Sequence, residues 1–292
     1  MHIGIMLPSR ETAMTGHHDA AALISFAQAA EQAGFDSVWA GDSLLARTRV
    51  EPLSLLSAVA AVTSRVRLGT AALIAPLRHP RLLAYQAASL DQLSAGRLVL
   101  GLGSGAPGPT SESEFAAVDI PFAKRATRLD DAVDILRRTW QTEGPLPPVQ
   151  PGGPALWLAS GDSPRVIARV ADHYDGWLPY LPDVDAYARA WEQIVGRTDR
   201  TIAAGLYATL VVDADENRAQ RTLDSYAQSY YRQPLDVMST IQAYKGGSAE
   251  ACVDWLGRYV EAGAQHLILR IGSLAAREQL DVLAERVLPK IR

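Results

Sequence analysis

Strand-patterned and helix-patterned segments alternate along this chain from its first residues to its last. That alternation restricts the fold more than any other property. A short apolar run followed by a helix is the repeating unit of a parallel sheet, because two parallel neighbours must be joined by a crossover. Strands are expected over residues 3–8, 37–42, 66–73, 97–102, 155–159, 176–179, 202–212 and 266–271. Helices are expected over 20–34, 52–64, 81–94, 123–142, 164–173, 184–195, 216–231, 249–262 and 275–287. Most of the strands are apolar on both faces, the pattern of a sheet covered on both sides. In 292 residues with no change of composition regime, this predicts one α/β domain over residues 1–292, a single (β/α)8 TIM barrel. A doubly wound open sheet would carry a glycine-rich turn after its first strand, and Leu7-Pro8-Ser9-Arg10-Glu11 is not one. Residues 107–121, after strand 4, read as a polar, lid-like insertion, and 145–154 as a surface connection rich in proline and glycine.

Composition removes several function classes. Lysine and arginine total 28 against 32 acidic residues, a net charge of −4, so no general nucleic-acid-binding surface is expected. Cys252 is the only cysteine, which excludes an intramolecular disulfide and a cysteine zinc site. It lies in a helical pattern, where a thiol acts as a small core residue. No run approaches the roughly 18 apolar residues of a membrane span. The chain opens on a strand without a basic leader. A cytoplasmic protein is expected. No carboxylate pair or metal-ligand spacing is present, which argues against a metallohydrolase and predicts no metal.

A barrel places its active site at the C-terminal ends of its strands, and several of those ends are unusually small. Strand 3 ends near Ala71 and Ala72; strand 4 breaks into Gly103-Ser104-Gly105; strand 5 runs into Ser160-Gly161-Asp162-Ser163-Pro164. Small residues let a flat ligand approach the backbone. The bland readings are core packing for the alanines, a flexible exit for Gly103-Ser104-Gly105 and a helix N-cap for Ser163. A helix start with Pro164 in its first turn presents free N–H groups and suits a phosphate, with Asp162 turned outward. Asp42 ends strand 2 and is followed by Ser43, which cannot act as a base near neutral pH without a partner. His17 and His18, on the first loop, are alternative proton carriers, although adjacent loop histidines are commonly solvated. His79 precedes the third helix; His2 and His266 begin strands, on the stability face. Arg47, Arg49, Arg78, Arg81 and Arg270 lie near the strand ends and could contact an anionic cofactor. Trp39, Trp177 and Tyr180 could line the pocket, and Ser111, Glu112, Ser113 and Glu114 sit in the insertion, where a solvated loop is the default.

Together these motifs resemble the luciferase-like flavin and deazaflavin oxidoreductases, over residues 1–180 by motif and over the last third by strand order. Ser37-Val38-Trp39-Ala40-Gly41-Asp42, Leu68-Gly69-Thr70-Ala71-Ala72 with Arg78-His79-Pro80, residues 96–105, and Ser160 to Pro164 with Asp175-Gly176-Trp177-Leu178-Pro179 carry the likeness. The coenzyme F420-dependent branch is the nearest in character. The resemblance implies a ring cofactor, F420 or alternatively FMN, at the barrel mouth. It also implies a non-proline cis peptide at the end of strand 3, best matched by Ala71-Ala72. Catalytic roles would then fall to Asp42, Ser43 and His79. Ala71, Ala72, Gly103, Ser104, Gly105, Ser160, Gly161, Asp162 and Ser163 would hold the cofactor. The expected activity is hydride transfer between F420 and a small organic substrate, in a homodimer. An FMN-dependent monooxygenase and a non-catalytic cofactor-binding barrel are the alternatives. In the F420 branch a histidine often follows the aspartate of strand 2; Ser43 departs from that pattern and leaves the proton carrier open.

Overall fold

A computed structural model describes residues 1–143 and 146–292, the side chains of 142 and 143 excepted. Pro145, the first residue of the expected connection, lies outside the described residues. The first part of the chain holds β1 (His2–Met6), α1 (Thr12–Thr15), α2 (Ala20–Gln32), β2 (Ser37–Ala40), α3 (Pro52–Val62), β3 (Arg67–Ile74), α4 (Pro80–Leu93) and β4 (Leu98–Gly103). After it come α5 (Pro109–Ala116), α6 (Arg125–Arg138), β5 (Ala155–Leu158), α7 (Pro164–His173), β6 (Gly176–Trp177) and α8 (Val184–Val195). The last part holds β7 (Ala203–Val212), α9 (Glu216–Tyr231), α10 (Leu235–Ser239), β8 (Ala243–Gly247), α11 (Ala249–Glu261), β9 (His266–Ile271), α12 (Ala276–Arg286) and α13 (Leu288–Ile291).

The strands close into an eight-stranded parallel barrel in the order β1 to β7, then β9, which pairs with both β7 and β1. The expected eighth strand is therefore β9. One strand lies outside the expected set: residues 233–248, between the helices expected over 216–231 and 249–262, contain α10 and β8. The ten-residue β7 is long enough to pair with β6 low down, at Ala203 and Ala204, and with β8 higher up, from Ala208 to Val212. β8 continues the line of the short β6, where the Ala243 amide donates to the Tyr180 carbonyl at 2.9 Å. Lys245, Gly246 and Gly247 carry too little β-branched or aromatic character for a strand to be read there.

Inside the barrel, Met6, Trp39, Ala71, Val99, Trp157, Leu178, Tyr207 and Ile268 form their own cluster, separate from the apolar layer between strands and helices. Two indoles, Trp39 and Trp157, with ring centroids 5.5 Å apart, fill the lower barrel. Neighbouring strands make room for them with glycine. A Cβ on Gly69 would lie 2.1 Å from Trp39 Cε3, and one on Gly176 would lie 2.5 Å from Trp157 Cδ1. Trp39 is thus core rather than pocket wall. Trp177 is fully buried against Tyr187, and only Tyr180 of the three aromatic candidates is exposed. At the opposite end from the mouth, the His2 and His266 rings stack with centroids 4.7 Å apart. Burial pushes the His266 imidazole down to about 4, with His2 adding to the effect.

Helix starts follow their sequence signals. Asp19, Asp183, Asp215 and Ser248 each accept a hydrogen bond from the first turn of the helix they precede. Cys252 is fully buried in α11 and burial raises its thiol to about 11, as an inert core thiol requires. Among the described residues no helix is long and apolar enough to cross a membrane.

Candidate active site

The C-terminal strand ends form a floor of small residues. The β3–β4 register slips between Thr70 and Leu73, and the Ala71-Ala72 peptide within that bulge is cis and non-proline. A Cβ placed on Gly103 would stand 3.3 Å from the Ala72 methyl and 4.0 Å from the Ala159 carbonyl oxygen. One placed on Gly41 would stand 3.5 Å from the Ala71 carbonyl oxygen and 3.0 Å from Arg49 Nη1. Gly41, Ala71, Ala72, Gly103 and Ala159 therefore meet on one side of the mouth, across the ends of β2 to β5. Gly161 borders open space, with nothing within 4 Å of a Cβ there, and its carbonyl accepts from Trp177 Nε1 at 3.1 Å. Ser163 is the N-cap of α7, accepting from the Val166 amide, while Asp162 is exposed. Gly105 takes a φ of +89° and stacks close to Phe115 of α5, so any larger residue is strained there. Ser104 is half-buried beside it.

Of the three candidate catalytic residues, Asp42 and Ser43 are engaged with other groups and His79 lies apart. Both Asp42 carboxylate oxygens face the Arg78 fork, at 2.5 and 3.2 Å, and Oδ2 also accepts from the Ile74 amide at 2.9 Å. Its side chain is 5% exposed. Asp42 therefore ties the end of β2 to the end of β3. Arg78 is consumed in the same contact and in a second one to Glu51, so it is not a cofactor anchor. The Ser43 hydroxyl donates to Glu114 Oε1 at 2.8 Å. His79 is exposed at the start of α4, and its ring makes no hydrogen bond among the described residues. His17 and His18 are exposed as well; His17 lines a cleft of about 470 Å³ between α1 and α2 that does not reach the small-residue floor.

The insertion differs from a solvated loop. Its centre is α5, and Glu114 from that helix is buried. The same carboxylate oxygen that takes the Ser43 hydroxyl also accepts from the Leu45 and Ala46 amides, each at 3.0 Å. Burial opposes the charge, but these donors win and hold the Glu114 carboxyl below its ordinary value. A carboxyl depressed on folding stabilises above its unfolded value, about 4.3, and that contribution is lost as pH falls through the folded value. The Glu114→Gln variant is expected to lose about 2 kcal/mol, the scale of a buried hydrogen bond to a charged group. Its unfolding free energy should also lose part of the wild-type decline below pH 4.3. Urea melts of both proteins at pH 7 and pH 3.5 check this, and parallel declines would refute the role.

Opposite the small-residue floor, the mouth is crowded with arginines and tyrosines. Arg10 follows β1, Arg47 and Arg49 follow β2, and Arg270 comes from β9. Tyr207 and Tyr244 come from β7 and β8, and Tyr226, Tyr230 and Tyr231 from the end of α9. The Tyr231 hydroxyl accepts from Arg10 Nη1 at 2.7 Å and from Arg270 Nη1 at 2.8 Å. Arg270 Nη2 donates to the Tyr244 hydroxyl at 2.8 Å, and Arg49 donates to the Tyr230 hydroxyl. Arg47 lies over the Tyr230 ring at 4.4 Å. Sequence reading noticed Arg47, Arg49 and Arg270 but missed Arg10 and all five tyrosines. The available signal was Tyr226, Tyr230 and Tyr231, one face of a helix end, in a chain where loops from distant strands converge on it.

Comparison with known proteins agrees with this architecture. Residues 1–266 match the family model described as luciferase-like monooxygenase. An F420-dependent glucose-6-phosphate dehydrogenase of Amycolatopsis mediterranei is 26% identical, the match covering 92% of this chain and 94% of that protein. A monooxygenase of Streptomyces bottropensis superposes with a TM-score of 0.78 at 20% identity, over all of both chains. An F420-dependent secondary alcohol dehydrogenase, solved with an F420-acetone adduct, gives 0.75 at 17% identity, over 100% of this chain and 99% of that one. With a closed parallel barrel, a small-residue floor at its mouth and a family match over most of its length, this chain belongs to the luciferase-like monooxygenase family.

Proposed function

We propose that the protein is an F420-dependent oxidoreductase acting on a small organic substrate. The observation that carries the reading is the floor of Gly41, Ala71, Ala72, Gly103 and Ala159, a cradle that any added Cβ would begin to fill. Bound there, a deazaflavin supplies the hydride acceptor or donor. The rest is the work of this chain. Ala71, Ala72 and Gly103 keep side chains away from the ring faces, and Gly103, Ser104 and Gly105 offer backbone to its edge. Ser160, Gly161 and the α7 N-terminus, a helix of ten residues opened by Pro164, take the cofactor phosphate. Asp42 and Arg78 act as positioning residues, since they hold the two strand ends between which the floor is formed. Ser43 and Glu114 pin α5 beside the mouth and shield it from water. The similarity to an F420-dependent dehydrogenase along nearly its whole length supports F420 over FMN.

Titrating the purified protein against F420 and FMN, and following the quenching of each cofactor's fluorescence, tests the assignment. Saturable quenching of F420 with FMN ignored is the expected result. Saturable FMN binding alone would replace this reading with a flavin monooxygenase, and binding of neither would overturn both.

A further inference from the structure

The arginine–tyrosine half of the mouth has a charge problem that the protein does not solve by itself. Among the described residues, no carboxylate lies within ion-pairing distance of Arg10, Arg47, Arg49 or Arg270. The nearest acid, Glu11, accepts at Oε1 from the Tyr226 hydroxyl at 2.8 Å, and burial raises its pKa. Polar atoms are also left over. Among the described residues, Arg10 Nε, Arg270 Nε, the Tyr207 hydroxyl and Glu11 Oε2 are buried without a hydrogen-bond partner, and Arg270 and Tyr207 are 2% and 8% exposed. A buried guanidinium without a counter-ion is costly, and unsatisfied donors add to the cost. One internal group can lessen it. Burial works against ionising the Tyr231 phenol, but the Arg10 and Arg270 guanidiniums that both donate to it carry it down to about 6. Tyr244, which shares Arg270 with it, is pushed the other way, so one of the two phenols ionises and the other stays neutral.

We propose that this cluster is a substrate-binding oxyanion site, in which Arg10 and Arg270, whose guanidiniums converge on the Tyr231 hydroxyl, hold a carboxylate. Calling that ligand the substrate rests on the F420 oxidoreductase reading. Topology supports it: the cofactor cradle spans the ends of β2 to β5, whereas the cluster is built on β7, β8, β9 and the loop after β1, across the mouth. Arg49 lies between the two, donating to the Tyr230 hydroxyl while its Nη1 stands 3.0 Å from where a Cβ on Gly41 would be. The groups facing Tyr231 are Arg10, Arg47 and Arg270, with Gln242, Tyr244, Tyr230 and, more distantly, Tyr207 and Tyr180. Tyr231 is partly exposed at the mouth, and the cavity against Arg10 and Arg270 is only about 10 Å³, so a carboxylate enters by displacing the Tyr231 hydroxyl from the two guanidiniums.

The test needs no turnover. At pH 8 the wild-type protein should show a tyrosinate absorption band that Tyr231→Phe lacks. Benzoate, titrated at constant ionic strength against chloride, should bleach the band with uptake of about one proton. Its affinity should weaken about tenfold per pH unit above the Tyr231 transition, because the bound state carries the extra proton. Arg270→Gln should return the phenol towards its ordinary titration and weaken benzoate about 100-fold, near 2.7 kcal/mol. Absence of the band in folded wild type, or a band indifferent to benzoate, overturns the proposal. Bleaching by inorganic phosphate but not benzoate would also overturn it, as would bleaching by F420 alone, which would make the cluster a cofactor-anion site. Because benzoate is titrated without cofactor, failure of F420 binding would leave this result standing and be read separately.

Discussion

The Gly161→Glu protein is expected to fold normally and to lose at least about 100-fold in F420 affinity, equivalent to about 2.7 kcal/mol. The two halves of that expectation come from different observations. A side chain at residue 161 meets no atom within 4 Å of its Cβ, and the position is half-buried at the mouth, so the fold tolerates it. The added carboxylate, however, stands before the first turn of α7, whose free N–H groups are the natural seat of a phosphate. It competes for those donors and repels the anion. Fluorescence titration with F420, alongside circular dichroism and a thermal melt, separates the two effects. An unchanged affinity in the folded variant would move the phosphate elsewhere, while a collapsed melt would show that residue 161 matters to the fold.

At Gly69 the same class of change should act in the opposite way. Gly69→Val is expected to destabilise the barrel by about 3 kcal/mol, the upper range for overpacking a well-filled core. The Cβ alone would sit 2.1 Å from Trp39 Cε3 and 2.3 Å from Cδ2. Trp39 cannot swing aside, because it is 2% exposed, lies against Trp157 and donates from Nε1 to Ser37 Oγ at 2.8 Å. Close-packed interiors have no slack to absorb such an overlap. Combining Gly69→Val with Trp39→Leu should recover part of the loss, since the pair exchanges volume between adjacent strands. Urea unfolding of the single and double variants checks this, and additive losses would show that the two residues do not share the space.

Set beside each other, these two glycines show what could be read in advance. Both sit on apolar strands or at their ends, and sequence marks both as places without a side chain. It does not say that Gly69 is empty because an indole from β2 fills the space, or that Gly161 borders solvent. Asp42 and Ser43 teach the same lesson. Their position at the end of β2 was legible from the strand pattern, and a chemical role was a reasonable expectation for polar residues there. Their partners, Arg78 at a separation of 36 residues and Glu114 at 71, come from later strand ends and from the insertion. Local pattern carries no information about contacts at that range.

What the sequence determined by itself is the barrel and the location of its mouth. Hydrophobic period and the regular succession of strand and helix are local properties, and a right-handed parallel barrel is the arrangement that buries all of those apolar strands at this length. The small residues at the ends of β3, β4 and β5 were equally visible, because absence of a side chain is a property of the residue alone. The tertiary structure decided which polar groups remain free to do chemistry. Closure of the barrel brought Arg10, Arg270, Tyr207, Tyr231 and Tyr244 together from five separate stretches of chain, and only their shared burial sets them apart from ordinary arginines and phenols. Charge and titration depend on distance and on exclusion of water, and both are set by the packed fold.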